Sequence, residues 1–154
     1  MKRPDLNGLP ADVMAYIEYL ESRLHIPVYI DNDVNTLTLS EKWLEPSNVE
    51  ENFIVITIGR GIGMGIVINN QIYRGKGGGA GEFGHIIVEN NGLLCGCGKK
   101  GCLETLISDN ALVAKAKASV SSDIDTIEDF ILRIDSGDSN ISKILTEAGE
   151  ILGR

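Results

Sequence analysis

The chain has 154 residues, which is enough for one domain with a hydrophobic core but not for two full ones. Its 22 acidic and 14 basic residues give a formal net charge of −8, which argues against nucleic-acid binding, because phosphate contacts need clustered Lys and Arg. No apolar run approaches the length of a bilayer span, and the amino terminus has no apolar signal core. We therefore expect a cytoplasmic protein without a membrane partner.

The first forty residues predict two helices separated by a short strand. Apolar side chains recur at helical spacing and predict a helix over residues 11–24. Pro27 must end this helix, and the β-rich run 27–30 predicts a strand. A second helical pattern follows the Asp31-Asn-Asp-Val-Asn35 segment and continues to Trp43.

A polar stretch then divides the sequence. Residues 47–52 predict a hinge-like linker between one structural part, residues 1–46, and a second part, residues 53–154.

The second part begins with strands and continues with helices. The apolar run 53–58 predicts a strand, and the runs 65–68 and 72–73 flank Asn69-Asn70, a pair suited to a tight hairpin turn. Two or three antiparallel strands make a thin sheet, so we expect either a piece of a longer protein or strands completed by another chain. Three further helices are predicted over residues 102–118, 124–134 and 141–152.

All three cysteines of the chain lie within eight residues, ten positions after His85. Cys95, Cys97 and Cys102 with one imidazole form the Cys₃His donor set of a closed tetrahedral zinc site, and the intervening glycines let a short loop wrap the ion. The alternative that the cysteines are simply small buried apolar residues is poor, because the loop has few apolar side chains that could cover them. A redox dithiol or disulfide stays open, since Cys-x-Cys is tighter than the usual zinc spacing.

Two other motifs could contact a ligand. Gly61 and Gly63 belong to a glycine run, residues 59–65, where the backbone could approach a phosphate or sugar closely, although the run taken alone favours a simple strand turn. The spacing fits neither a dinucleotide fingerprint nor a Walker loop. Asn32 and Asp33 could bind a polyhydroxyl ligand, or they could form an Asx turn that caps the next helix.

Two glutamates flank the predicted metal loop. Glu82 lies three residues before His85, and Glu104 lies two residues after Cys102. If a metal closes the loop, the two carboxylates are drawn towards a common place. Otherwise both are solvated surface acids, which is the usual position of glutamate.

These motifs in this order resemble the ROK family, named for repressors, open reading frames and kinases. The resemblance covers nearly the whole chain. It implies an α/β chain with part of the two-lobed, actin-like/RNase-H-like sugar-kinase fold, with a mixed sheet, helices and a zinc-stabilised loop over residues 85–102. Residues 1–46 would end the first lobe and residues 53–154 would begin the second. The matching elements are Asp31-Asn-Asp-Val-Asn35, the 59–65 run, Tyr73-Arg-Gly75, Gly81-Glu-Phe-Gly-His85 and Cys95-x-Cys-Gly-x-x-Gly-Cys102-x-Glu104.

The resemblance also implies roles for single residues. His85 would bind zinc through one ring nitrogen and the sugar through the other, with the zinc structural and not catalytic. In a kinase, Asp33 would be the general base, and Gly61 and Gly63 would face the phosphates of ATP bound with Mg²⁺. The implied sugar ligands are Asn32, Asp33, Glu82, His85 and Glu104, and the implied zinc ligands are His85, Cys95, Cys97 and Cys102.

The function that the resemblance implies depends on segments outside this sequence. Family kinases carry an Asp-x-Gly-x-Thr phosphate loop and family repressors a winged helix-turn-helix, and neither pattern occurs here, so we expect the middle of such a protein. We expect the effector domain of a sugar-sensing transcriptional repressor, a homo-oligomer that binds a hexose or hexose derivative and meets DNA only through a domain outside this sequence. The alternatives are a fragment of an ATP-dependent hexose or N-acetylhexosamine kinase and a zinc-stabilised scaffold without a ligand.

Overall fold

The computed structural model describes residues 10–44 and 50–154, so the first half of the predicted 47–52 linker, residues 47–49, lies outside the described residues. Two helices precede a small sheet, and four helices follow it, which makes the chain mixed α/β. The helices are α1 (Ala11–Leu24), α2 (Asp33–Leu44), α3 (Glu104–Ile107), α4 (Asp109–Ser119), α5 (Ile127–Asp135) and α6 (Ser139–Leu152), and the strands are β1 (Phe53–Ile58), β2 (Ile62–Ile68) and β3 (Gln71–Ile72).

The sheet is antiparallel, with the strands in the order β1-β2-β3. Asn69 and Asn70 have φ values of 49° and 63°, the left-handed conformation that a two-residue hairpin turn needs, so the predicted turn is present. On the face of β1 opposite α2, Ile54, Ile56 and Ile58 are 55%, 38% and 49% exposed. The sheet therefore presents a row of isoleucines to solvent in the described part of the chain.

Helix α2 lies directly on β2 because two strand positions are glycine. A Cβ at Gly65 would stand 1.8 Å from Thr38 Oγ1, and one at Gly63 would stand 2.6 Å from Val34 Cγ2. Both glycines pair with β1, so β2 begins at Ile62, three residues before the predicted strand. The close approach brings the amino terminus of α2 to the edge of the β1–β2 turn.

Helices α3 to α6 enclose the main hydrophobic core, in which Leu103, Ile124, Phe130 and Ile141 are at most 1% exposed. The single helix predicted over 102–118 is wrong, because the chain breaks at Ser108, which has extended backbone angles and caps α4 through a bond from Ala111 N.

Capping residues also set the ends of the last two helices. Helix α5 begins after Thr126, whose hydroxyl accepts a bond from Asp129 N in a capping box, so the helix starts three residues later than the pattern predicted. Helix α6 begins after Asp138, two residues earlier than predicted.

The strand predicted over residues 27–30 is also wrong. The run has no regular secondary structure, and it pairs with no strand among residues 10–44 and 50–154. Val28 N donates instead to Glu21 Oε1 at 3.0 Å, which ties the run back to α1. None of the described helices has the length and apolar character needed to cross a membrane.

Candidate functional site

One cleft of about 410 Å³ collects side chains from four separate segments of the chain. Its walls are the amino terminus of α2, the β1–β2 turn, the 3₁₀ turn Phe83–His85 with the residues before it, and the start of α3. Every residue that the sequence suggested for sugar or phosphate contact lines this cleft: Asn32, Asp33, Gly61, Gly63, Glu82, His85 and Glu104.

Asn32 caps helix α2. Its Oδ1 accepts bonds from Val34 N at 2.9 Å and Asn35 N at 3.2 Å, so the capping alternative raised from the sequence is present. The cap uses the acceptor of the amide and leaves its NH₂ group to donate elsewhere. Asp33, at the first position of α2, is exposed, and its Oδ1 accepts only from the adjacent Val34 N among the described contacts. Capping and ligand binding are thus compatible at this helix end.

Asp31 and Arg74 anchor the start of α2 to the chain that follows β3. Arg74 contacts Asp31 Oδ2 through two nitrogens, and Asn35 Nδ2 donates to Asp31 Oδ1 at 3.0 Å. Burial raises the pKa of Asp31, but the bonds from Arg74, Asn35 and Asn32 N outweigh it and leave the pKa below its ordinary value. Sequence reasoning missed this anchor, although both residues lie in segments that match the family.

Glu104 enters the cleft between two glycines. Its Oε2 accepts a bond from Ile62 N at 3.1 Å, and a Cβ at Gly61 or Gly84 would stand 3.1 or 3.3 Å from the same oxygen. Glycine at these positions leaves space for the carboxylate, so Gly61 at least allows Glu104 to take this position. The other oxygen, Oε1, lies 4.0 Å from Cys95 Sγ.

The His85 ring lies between two groups of side chains. Its Nδ1 is 3.5 Å from Cys95 Sγ, and its Nε2 is 3.7 Å from Glu82 Oε2. The backbone beside the ring is held by Lys99 Nζ, which donates to His85 O, and by Leu103 N, which donates to Ile86 O. One imidazole can therefore bind a metal at Nδ1 while Nε2 faces the cleft.

Four residues could hold a metal ion. The donor atoms of His85, Cys95, Cys97 and Cys102 all lie within 4.8 Å of one another, and the three thiols are free. Cys97 Sγ is 3.6 Å from Cys102 Sγ, too far for a disulfide and close to the roughly 3.8 Å between sulfurs on a tetrahedral ion with bonds of about 2.3 Å. The donor set, here called the Cys₃His cluster, fits a four-coordinate metal.

Backbone bonds shape the loop that carries the Cys₃His cluster. Cys95 N donates to Lys99 O, Gly98 N donates to Cys95 O, and an antiparallel bridge joins Ile87 to Cys102. Gly101 has φ +72°, and a Cβ there would stand 1.7 Å from Glu89 O, so only glycine fits.

The environments of two thiols differ. The Lys99 N–H lowers the pKa of Cys97, whereas burial and the neighbouring thiols raise the pKa of Cys102 to about 11. A bound cation would remove this difference between the two cysteines, because metal coordination deprotonates thiols outright.

The ROK family model matches residues 4–154 of the chain. The chain belongs to the ROK family. It is 41% identical over 118 residues to a putative xylose repressor from Caldicellulosiruptor sp. strain Rt8B.4, a match that covers 72% of this chain and 30% of the relative. The matched segment thus spans less than a third of that relative's length.

Solved ROK structures agree with the architecture. A ROK family transcriptional regulator, a homologue of the Escherichia coli MLC protein, superposes with a TM-score of 0.78 at 30% identity, covering 90% of this chain and 37% of that one. A ROK glucokinase from Streptomyces griseus, in complex with glucose and AMPPNP, superposes with a TM-score of 0.75 at 33% identity, covering 89% and 49%. The chain therefore has part of the actin-like sugar-kinase fold, as the resemblance implied.

Proposed function

We propose that this chain is the sugar-binding effector domain of a ROK-type transcriptional repressor, and that a hexose or hexose derivative binds in the cleft. The observation that carries the proposal is the convergence of Asn32, Asp33, Glu82, His85 and Glu104 on one cleft of about 410 Å³. Clefts of several hundred cubic ångströms with a few convergent polar groups are typical of small-molecule sites.

The hydrogen-bonding capacity that remains in the cleft suits a polyol. The Asn32 amide can donate, and the exposed carboxylates of Asp33 and Glu82 can accept from hydroxyl groups. Glu104 uses Oε2 to hold Ile62 N, which leaves Oε1 as an acceptor. A mixed set of donors and acceptors without a clustered positive charge favours a neutral sugar.

Zinc is the metal we propose for the Cys₃His cluster, with a structural role. Three thiolates and one imidazole, close enough together to bind one ion with tetrahedral geometry, are the donors that zinc prefers. When bound, the ion neutralises the thiolates and orders the loop. His85 then keeps its Nε2 proton as a donor towards Glu82 or a sugar hydroxyl, because Nδ1 is occupied.

The repressor assignment draws on the similarity to a putative xylose repressor and to a transcriptional regulator. In this proposal the protein is cytoplasmic and homo-oligomeric, and it meets DNA through a domain outside this sequence. Sugar binding would favour one arrangement of the lobes and so change the affinity of that domain for DNA.

Isothermal titration with glucose, xylose, N-acetylglucosamine and N-acetylmannosamine tests the sugar site. We expect at least one sugar to bind and Asp33→Ala and Glu82→Ala each to weaken it about tenfold or more, since each removes a hydrogen bond to the ligand. Glu150→Ala, an exposed acid on α6, is the matched control and should leave affinity unchanged. No binding of any sugar, or full binding in both cleft variants, would refute the proposal.

A kinase is the second candidate, because Asp33 lies in the same cleft as the Gly61–Gly63 turn and because a glucokinase is among the structural relatives. Incubation of the full-length protein with ATP, Mg²⁺ and the sugar that binds separates the two functions, since part of the ATP site is expected to lie outside this sequence. Sugar phosphate that disappears in Asp33→Asn would show a kinase, whereas binding without phosphorylation agrees with a repressor.

A further inference from the structure

The three thiols of the Cys₃His cluster differ in how far solvent can reach them. Cys95 and Cys102 are 4% and 0% exposed, whereas Cys97 is exposed. Cys97 also lies between Gly96 and Gly98, and an added Cβ at either glycine would meet nothing within 4 Å. A small solute can therefore reach Cys97 Sγ, and the chain around it has room to move.

We propose that Cys97 and Cys102 form an oxidant-sensitive pair, which hydrogen peroxide converts to a disulfide with release of the metal. The Cys97 thiolate attacks one peroxide oxygen, the O–O bond breaks, and sulfenic acid and hydroxide result. The Cys102 thiolate then attacks the Cys97 sulfur, the S–S bond forms, and the S–O bond breaks with loss of hydroxide. Two thiolates supply two electrons, and protonation of the hydroxides gives two water molecules.

The geometry favours Cys102 as the partner of Cys97. Their sulfurs are 3.6 Å apart and need to approach by about 1.5 Å to reach disulfide length. Cys95 is separated from Cys97 by one residue, so a disulfide between them would close a very small ring. The Cys95 backbone is also fixed, because its N–H donates to Lys99 O and its carbonyl accepts from Gly98 N.

The disulfide would remove two of the four donors. His85 and Cys95 alone cannot close a tetrahedral site, so the ion leaves. Cys102 also forms the bridge to Ile87, two residues after His85, and lies two residues before Glu104, so its displacement disturbs the segments that carry these two cleft residues. The effect on sugar affinity rests on the proposed function, whereas disulfide formation and metal release do not.

Peroxide treatment of the zinc-loaded chain tests the pair. We expect release of one zinc, followed with a zinc-sensitive dye, and an intact mass lower by two hydrogen atoms. Lys99 and Lys100 separate the two cysteines, so trypsin leaves their peptides joined only if a disulfide links them. Dithiothreitol with added zinc should restore the starting mass and metal content.

Cys97→His is the matched control. Histidine is also a zinc ligand and cannot form the disulfide, so the comparison uses Cys97→His protein in which elemental analysis finds about one zinc per chain before peroxide is added. We expect this variant to retain zinc under peroxide that empties the wild-type site. Equal zinc loss from both proteins, or wild-type loss accompanied only by added oxygen atoms, would overturn the proposal.

The sugar that binds in the isothermal titrations is then titrated into reduced and into oxidised protein. We expect affinity at least about fivefold lower after oxidation, with recovery on reduction. Unchanged affinity in protein with the disulfide and no metal would overturn the link between the thiol pair and the cleft. Absence of sugar binding in the reduced, zinc-loaded protein would instead refute the proposed function while the disulfide result stood.

Discussion

Arg74 Nε donates to Asp31 Oδ2 at 3.0 Å and so fixes the start of helix α2 to the segment that follows β3. The Arg74 carbonyl accepts from Ala80 N, which closes the loop leading to Glu82. One arginine thus holds the chain beside Asn32 and Asp33 on one wall of the cleft and the chain leading to Glu82 on the other.

We expect Arg74→Ala to lower the free energy of unfolding by about 2 kcal/mol, because it leaves a largely buried carboxylate without its charged donor. Urea denaturation measures the loss. Lys115→Ala, which removes an exposed ion pair with Glu147, is the control and should cost less than about 1 kcal/mol. Equal losses in the two variants would contradict a structural role for the Asp31–Arg74 pair.

Acid should weaken the wild-type protein more than Asp31→Asn. The folded-state pKa of Asp31 lies below that of the unfolded chain, so its stabilisation is present above about pH 4 and is lost as pH falls through the folded-state pKa. Asp31→Asn is less stable at neutral pH but lacks this loss. The melting temperatures of the wild-type protein and of Asp31→Asn should therefore converge as pH falls from 7 to about 2. Parallel curves for the two proteins would count against a lowered pKa of Asp31 in the folded state.

Gly65→Ala should destabilise the packing of α2 on β2 by about 1–3 kcal/mol, because the new Cβ would stand 1.8 Å from Thr38 Oγ1. Gly149→Ala is the matched substitution at an exposed position of α6, where an added Cβ would meet nothing within 4 Å, and should stabilise the chain by up to about 1 kcal/mol. Thermal unfolding of the two variants gives the comparison, and a neutral Gly65→Ala would show that α2 can shift freely.

Removal of the metal should disorder residues 92–101 and leave the helical core folded. Structural zinc can supply about 10 kcal/mol of folding free energy, and five glycines from Gly84 to Gly101 leave the loop few packing contacts of its own. Elemental analysis should find about one zinc per chain, and Cys97→Ser should lose it. Hydrogen exchange should accelerate at Cys95 and Gly101 but not at Phe130, whereas an ordered, metal-free, fully reduced loop would contradict the prediction.

Local sequence patterns predicted the elements that depend on local chemistry. Asn69-Asn70 specifies its hairpin turn because asparagine tolerates positive φ, and the regular apolar spacing of residues 11–24 gives α1 its observed bounds. The Cys₃His cluster could also be found, since three of its four donors lie within eight residues.

Features that depend on distant partners could not be predicted in this way. A strand exists only beside another strand, so the β-rich run 27–30 gave no information on whether a partner is present. Ser108 interrupts an apolar pattern that continues on both sides of it, which hid the break between α3 and α4. The packing role of Gly63 and Gly65 required knowledge that α2 lies on them.

The position of the His85 ring also ties two equilibria together. Its Nδ1 faces the cysteines and its Nε2 faces Glu82, so a ligand on either side restricts the ring for the other. If zinc and a sugar bind as proposed, the factor by which zinc changes the sugar affinity equals the factor by which the sugar changes the zinc affinity, and we expect each to tighten the other. A cell short of zinc would then need more sugar for the same response, and abundant sugar would help the protein keep its metal.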